Sequence, residues 1–351
     1  MTGTSYLMVS QIVGGVDGAV SKSRLRAGEC HVPVVNKKDA GAQRDPFCDP
    51  DVIKKQYWME SESFKVLFNS KALTAGHSLI ITKRHALGLL DLDADEAREL
   101  MAVLNASLNV VLKEYNNNER NYDLKIRSGE FSGRTVNHFH LHIIPRRKVP
   151  GPDGNYWYEN IYEKSLRQID RPFLDDIRED VKRLRRGARG IVLDKEPAGS
   201  GMLGNGVLAR PLRDAVFYES EGFIVAYNPA PLVRGQALII PRREIKDISE
   251  LNANEVSDLI GTYVVSMRAL LKAYGEGSRS YITSMQVGGY ARMPTDRMHI
   301  HLIPRSRNDV YSGRDDYMYF DMYESDKKGA VMTGKEVSEE VKRLKLLIRS
   351  R

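Results

Sequence analysis

The 351-residue chain predicts an α+β protein assembled from two copies of one unit. Three observations predict it. Residues 137–147 (Asn-His-Phe-His-Leu-His-Ile-Ile-Pro-Arg-Arg) return at 296–306 (Asp-Arg-Met-His-Ile-His-Leu-Ile-Pro-Arg-Ser), an offset of 296 − 137 = 159. The same offset holds without a gap for Phe64/Phe223, Asn69/Asn228, Gly76/Gly235, Glu96/Glu255, Tyr115/Tyr274 and Gly129/Gly288, a register that shared strand propensity does not sustain. Each copy also carries one stretch of helical period among several short apolar runs, which is the pattern of a helix on an antiparallel sheet.

The elements follow in order. A strand near 64–68 enters a turn from Asn69 to Gly76, and a short apolar strand, Ser78–Thr82, comes next. Asp93-Ala94-Asp95-Glu96 opens a helix, because acidic residues suit the positive end of the helix dipole; Leu100, Met101, Leu104, Leu108 and Val111 keep its period. A strand at 122–127, a Gly-rich loop at 128–134 and a histidine strand at 136–144 complete the unit. Tyr-rich segments follow each copy (Tyr156, Tyr158, Tyr162; Tyr317, Tyr319, Tyr323), and basic helices near Leu174–Arg186 and Glu336–Ile348 close them. This divides the chain into a disordered tail (1–44), a first domain (45–186), a Gly/Pro-rich linker (187–205) and a second domain (206–351).

Composition bounds the setting. The net charge of +7 is mild and suits an anionic substrate without demanding one. No apolar run approaches the roughly 18 residues of a membrane span. Two cysteines, Cys30 and Cys48, argue against a disulfide scaffold and for a reducing compartment, with the cytoplasm favoured over nucleus or mitochondrion. A presequence is poorly supported, since Asp17 precedes the first basic residue, Lys22. The basic helices lack interleaved aromatics, so a nucleic-acid stripe is not indicated.

His138, His140 and His142 alternate with apolar residues, which places three imidazoles on one strand face about 6.5–7 Å apart along the chain. A neutral imidazole is nucleophilic near neutral pH and forms a phosphoramidate that passes its group on. The middle histidine, His140, is then the nucleophile, with His138 and His142 positioned to bind phosphate oxygens and set its tautomer. The preceding loop, Ser128 to Thr135, offers glycines for close approach, a threonine hydroxyl and the charge of Arg134.

With Asn69, Gly76-His77 and Gly133-Arg134-Thr135-Val136-x-His138-x-His140-x-His142-Ile143-Ile144-Pro145-Arg146, the chain resembles the histidine triad (HIT) family, and within it the fragile-histidine-triad branch of dinucleoside polyphosphate hydrolases. The resemblance covers roughly 60–186 and 215–348. It implies two HIT-like units paired as an intramolecular pseudo-dimer, with attack by His140 on a nucleotide α-phosphate to form a nucleotidyl-histidine that water hydrolyses. It places Asn69 at the ribose, and Arg127, Gly133, Arg134, Thr135, Val136 and His142 at the phosphates. Arg127 and Arg134 stand where the branch usually has Gln, which puts polyphosphate length in doubt. Tyr162 resembles the tyrosine of the branch's later loop, and His77 lies in a turn where a structural role is expected. Phe64 and Phe68 are candidate walls for the base. Some relatives hold zinc through Cys-x-x-Cys; here Asp45-Pro46-Phe47-Cys48 has one sulfur, and with His85 and His138 it is set aside, so no metal ligand is assigned. No tightly bound cofactor is expected; a divalent ion such as Mg would arrive with the substrate.

The second copy keeps Asn228, Gln286, His299 and His301 but carries Arg297 for the first histidine and Met293-Pro294-Thr295 for the cradle. Pro294 lacks an N–H, and Arg297 can bind phosphate but not relay protons. A degenerate second site is the expectation. Hydrolysis of substrates of the diadenosine tri- or tetraphosphate type leads over two alternatives, a nucleotidyltransferase or phosphorylase using the same adduct, and a non-catalytic nucleotide- or RNA-binding subunit of a larger complex.

Overall fold

The computed structural model describes residues 45–116, 118–150, 156–158, 214–228, 231–288, 297–309 and 333–349, with four residues between 182 and 189. The expected tail, the linker but for Arg189, most of the first closing helix, Met293 to Thr295, and Tyr162, Tyr317, Tyr319 and Tyr323 lie outside the described residues. The first lobe contributes α1 (Pro50–Gln56), β1 (Tyr57–Glu60), β2 (Phe64–Phe68), β3 (Ser78–Thr82), α2 (Ala94–Asn116), β4 (Tyr122–Ser128), β5 (His140–Pro145) and a small hairpin, β6 (Lys148–Pro150) with β7 (Tyr156–Tyr158). The second contributes β8 (Val216–Glu219), β9 (Phe223–Tyr227), β10 (Ala237–Pro241), α3 (Ala253–Tyr274), β11 (Tyr281–Val287), β12 (Ile300–Pro304) and α4 (Gly334–Arg349).

The repeat is structural as well as sequential. The N-termini of α2 and α3 are held by the same device. Asp93 Oδ1 accepts the Glu96 N–H while Glu96 accepts the Asp93 N–H, and Asn252 with Glu255 repeats the exchange. Arg84 then clamps Glu96 as Arg243 clamps Glu255.

Ten strands form one sheet in the order β1-β2-β3-β5-β4-β11-β12-β10-β9-β8, a mirrored sequence about the β4–β11 junction. These two strands pair antiparallel over seven residues, from Tyr122↔Val287 to Ser128↔Tyr281. At the centre Lys125 faces Ser284, its own counterpart at 125 + 159, so a pseudo-twofold axis passes between them. The predicted intramolecular pseudo-dimer is therefore made by main-chain hydrogen bonds. One row of side chains crosses all ten strands on one face: Tyr57, Leu67, Leu79, His142, Lys125, Ser284, His301, Leu238, Ala226 and Val216.

The opposite face is the core. Val103, Leu104, Leu108 and Val111 of α2 belong to one buried cluster with Leu124, Ile126, Leu141 and Ile143, and the corresponding face of α3 joins it. Phe64 and Phe68 lie in this cluster, almost fully buried, with Phe64 edge-on to Phe139 at 6.4 Å. They are not walls of a base pocket. Strand alternation sends them to the helix side, and it is Leu67 between them that shares the histidine side. Two cross-lobe ion pairs flank the junction: Arg120 reaches Asp247 and Arg279, its counterpart, reaches Asp91.

Candidate functional site

The histidine strand begins at His140, not at 136, and this changes the site. His140 Nδ1 lies 2.8 Å from the carbonyl oxygen of His138, an obligate acceptor, so Nδ1 carries the proton and Nε2 presents its lone pair. Burial pushes the His140 pKa down to about 4, with Arg127 and Arg134 adding charge repulsion, so the ring is neutral at physiological pH. The lone pair is available without a base to free it.

A relay of hydrogen bonds fixes the neighbouring His142. The N–H of Leu73 donates to His77 Nδ1 at 3.0 Å, which forces the proton onto His77 Nε2. That nitrogen donates to His142 Nδ1 at 3.0 Å, and the His142 proton is left on Nε2. Burial, followed by the adjacent His140, holds the His142 pKa well below its usual value. The rings of His140 and His142 lie 5.0 Å apart, so a bare nitrogen and an N–H donor stand side by side. His77, expected to be structural, is the residue that orients the donor.

The other residues assigned from sequence are distributed around this pair. Gly133 adopts φ 68° at the end of a one-turn helix, and its carbonyl accepts from Arg127 Nη1 at 2.7 Å. Arg134 donates to the Leu87 carbonyl at 2.8 Å and to Asn137. Both guanidinium groups act on His140 electrostatically, yet each is tied to the protein's own oxygens. Thr135 is exposed, and Val136 packs on an apolar patch of Phe47, Leu67, Leu79 and Ile81 with Ile53 and Tyr57. Phe47 touches the ring of His140 at 5.5 Å. Asn69 accepts the Lys71 N–H at 2.9 Å and sets its amide nitrogen 3.3 Å from His77 Nε2, which makes it part of the relay's surroundings.

The His138 side chain does not join His140 and His142. Its Nε2 lies 2.9 Å from the carbonyl of Thr82, so that nitrogen bears a proton. Its Nδ1 faces Asp45 Oδ2 at 2.8 Å, and His85 Nδ1 sits 3.1 Å from the same oxygen. Cys48 Sγ is 3.2 Å from Asp45 Oδ2 and 3.7 Å from His138 Nδ1. Burial favours a protonated Asp45, but the hydrogen bond and charge of His138 and the Phe47 N–H outweigh it and hold the carboxyl below its usual value. A carboxylate oxygen thus meets two imidazole nitrogens and a sulfur, all four within 4.8 Å of one another, an arrangement that needs a proton or a cation among its acceptors. The set of donors that sequence reasoning put aside is brought together. Cys48 is disulfide-bonded, against the expectation of reduced cysteines; the chain's other cysteine, Cys30, lies outside the described residues.

In the second lobe His299 Nδ1 lies 2.9 Å from the Arg297 carbonyl, the same tautomer lock. Arg297 Nη2 donates to the carbonyls of Pro241 at 2.7 Å and Arg242 at 3.0 Å. Pro241 is the counterpart of Thr82 (82 + 159), so Arg297 serves the carbonyl that His138 serves in the first lobe. Asn228 repeats the main-chain bond of Asn69, donating its N–H to the Gln236 carbonyl as Asn69 does to His77. Gln286 pairs across the junction with Asp123.

The HIT domain model matches residues 51–149 and again 210–308. Bis(5'-nucleosyl)-tetraphosphatase [asymmetrical] of Schizosaccharomyces pombe is 27% identical over 126 residues, 36% of this chain and 68% of that protein. Bis(5'-adenosyl)-triphosphatase of Dictyostelium discoideum is 29% identical over 110 residues, 31% of this chain and 72% of that protein. Among solved structures, an ADP-glucose phosphorylase from Arabidopsis thaliana with bound ADP-glucose aligns over 81% of this chain and 82% of its own, at 13% identity and a TM-score of 0.48. Plasmodium falciparum diadenosine triphosphate hydrolase in complex with Cyclomarin A aligns over 44% and 90%, at 18% identity and a TM-score of 0.32. Among the described residues no helix is long and apolar enough to cross a membrane. With both matched segments covering more than half of its length, the chain belongs to the HIT domain family, in tandem.

Proposed function

We propose that the first lobe hydrolyses dinucleoside polyphosphates through a nucleotidyl-histidine on His140. The observation that carries this reading is the locked tautomer: the Nδ1 proton is held by the His138 carbonyl while Nε2 stays bare beside the His142 Nε2–H donor. Nε2 attacks the α-phosphorus, an N–P bond forms, and the P–O bond to the departing nucleoside polyphosphate breaks. The His142 N–H binds a non-bridging oxygen, and the field of Arg127 and Arg134 offsets the chain's negative charge. Water then attacks phosphorus, the N–P bond breaks, and a nucleoside monophosphate leaves. The patch of Tyr57, Ile53 and Val136 beside Phe47 is the apolar surface on this face for the base. A divalent ion, if used, comes with the polyphosphate. Relatives named as tetraphosphatase and triphosphatase support the substrate class.

Asp45, Cys48, His85 and His138 would hold a structural zinc ion, with Cys48 as the thiolate its disulfide would release on reduction. The ion would supply rigidity there, and His138, so held, would keep its carbonyl fixed on His140 Nδ1. Reduced protein dialysed against zinc is expected to retain one equivalent by atomic absorption, and a Cys48→Ser/His85→Ala variant, with two of the four ligands removed, to retain none. Equal retention by the variant would remove the metal from this account.

His140→Ala is expected to lower diadenosine triphosphate turnover by at least about 10⁴-fold, and alkali-quenched wild-type enzyme to yield an adenylyl group on the peptide carrying His140. Unchanged turnover in the variant overturns the proposal. His77→Gln should keep most of the activity, because Gln236 performs that task in the second lobe, whereas His77→Leu should lose at least about tenfold by freeing the His142 tautomer. Similar rates for the two would show that the relay does not orient His142. With a nucleophile pKa of about 4 in place of 6.5, kcat/KM should stay level as pH falls through 6.5 and decline only near 4. The internal phosphates of the substrate do not titrate in that window, so a limb near 6.5 would place a solvated histidine at the reacting position.

A further inference from the structure

We propose that Lys125 and Ser284 form a phosphate subsite on the line where the lobes meet, for the phosphates that a dinucleoside polyphosphate carries beyond the scissile bond. The inference rests on the reading of His140 as nucleophile and deepens it by naming the residues that read the length of the phosphate chain.

The subsite follows from the order of side chains across the sheet. His142 has two cross-strand neighbours, Leu79 of β3 on one side and Lys125 of β4 on the other. Beyond Lys125 comes Ser284 of β11. Directly opposed residues on antiparallel strands have Cβ atoms about 5 Å apart, so the row from His142 through Lys125 to Ser284 is continuous. Leu79 belongs to the apolar patch of Phe47, Tyr57 and Val136, the surface on this face for the base. A nucleotide with its α-phosphate at the His140–His142 pair then has its base toward β3 and its remaining phosphates toward β4 and β11. Ser284 stands two strand spacings from His142, about 10 Å, a distance for the far phosphates of the substrate. Continuing the β4–β5 pairing by one residue from Ile126↔Leu141 sets Arg127 opposite His140. The two cations of β4 therefore run in step with the two histidines of β5.

Burial and chemistry single out these two residues. Lys125 is 5% exposed and Ser284 1%. Burying an ammonium is costly unless an anion shares its site. Its neighbours in the row, the neutral His142 imidazole and the Ser284 hydroxyl, carry no charge. The field of Lys125 reaches the reacting pair: after burial and the adjacent imidazoles, Arg127 and Lys125 add to what keeps His142 neutral. Ser284 Oγ is buried and has no hydrogen-bond partner among the described residues. A hydroxyl so placed is a donor held ready for an acceptor oxygen. Asp123 lies two residues along β4 on the same face, opposite Gln286. Burial pushes its carboxyl above the usual range and Arg146 pairs with it at 2.8 Å, so two cations, Arg146 and Lys125, stand against one carboxylate. Asp123 Oδ1 and Gln286 Oε1, both buried acceptors without a partner among the described residues, mark the end of the floor that repels an anion. The anion is thereby confined to the Lys125–Ser284 end. Ser284 is the counterpart of Lys125, so the charge sits on the first lobe's side of the axis and serves His140.

The test uses the full chain and reads binding and turnover separately. Inorganic tripolyphosphate, titrated calorimetrically into His140→Ala protein, should bind at least about tenfold more weakly once Lys125→Met is added. Methionine keeps the aliphatic stem and removes the charge. Ser284→Ala should weaken the same binding at least about fivefold without lowering thermal stability, because a buried hydroxyl with no partner among the described residues adds nothing to stability. That variant carries the test should Lys125→Met fail to fold. In turnover, Lys125→Met should lower kcat/KM for diadenosine tetraphosphate at least about tenfold more than for adenosine 5'-(4-nitrophenyl phosphate), whose leaving group bears no phosphate. Equal losses on the two substrates, or tripolyphosphate affinity untouched by either substitution, overturn the subsite and leave the His140 hydrolase standing. Full turnover in His140→Ala, with tripolyphosphate affinity still dependent on Lys125 and Ser284, removes the nucleophile and leaves the subsite in place.

Discussion

The main-chain pairing of β4 with β11 is the constraint on which the rest of the molecule depends. Seven residues from each lobe meet in register about Lys125 and Ser284, and everything chemical is placed relative to that line. Because side chains alternate with a period of two, a slip of one residue would send a strand's whole histidine set to the helix side. Close approach at both ends of the junction prevents the slip. A Cβ on Gly129 would meet the Ser280 backbone at 2.4 Å, and one on Gly288 would meet the Arg120 carbonyl at 2.5 Å; both glycines have positive φ. The reciprocal ion pairs of Arg120 and Arg279 then bind lobe to lobe outside the strands.

Within that frame the reacting groups are selected by hydrogen bonds that are individually modest. A bond from an imidazole to a carbonyl contributes about 1 kcal/mol to stability. Its chemical effect is larger, because it decides which of two nitrogens is bare. Burial adds a second decision by favouring the neutral ring, and the two act in the same direction at His140 and at His299. A buried imidazole with its distal nitrogen unprotonated needs no general base, which accounts for a site assembled from histidines and main-chain groups with no carboxylate beside the nucleophile's own hydrogen bonds.

Much of this was legible in the sequence, and the limits have physical causes. The repeat fixed element order, because a gapless offset can only come from matching elements, and the helix α2 and the strands β2, β3 and β4 fall where periodicity placed them, whereas the histidine strand starts at His140 rather than 136. Period-two alternation identified His140 and His142 as sharing a face. It misassigned Phe64 and Phe68, since alternation within one strand does not say which of its faces joins the face of another; that requires the register Leu67↔Leu79↔His142. It misassigned His138 because the chain leaves the ladder before β5, where the Phe139 N–H bonds to Ala86 and the imidazole turns toward Asp45, 93 residues away. The orienting role of His77 combines a local bond from the Leu73 N–H with a long-range one to His142, 65 residues away, which no motif spacing shows. The available signal was the coincidence of Asp45, Cys48 and His85 with a triad histidine, which spacing alone could not join.

The two lobes differ more in their residues than in the hydrogen bonds those residues make. Where the second lobe departs at positions that touch the nucleophile's tautomer, the departures compensate. Gln236 replaces His77 and still donates to the neighbouring histidine, and Arg297 replaces His138 and still covers the carbonyl at the end of the adjacent strand. These replacements differ in shape, charge and number of donors, yet each leaves a bare Nε2 next to an N–H. At the position of Arg127 the second lobe has Gln286, while Met293, the counterpart of Arg134, lies outside the described residues. The same hydrogen-bond pattern around the paired histidines, reached through unlike residues, places the constraint on the tautomer rather than on any one side chain.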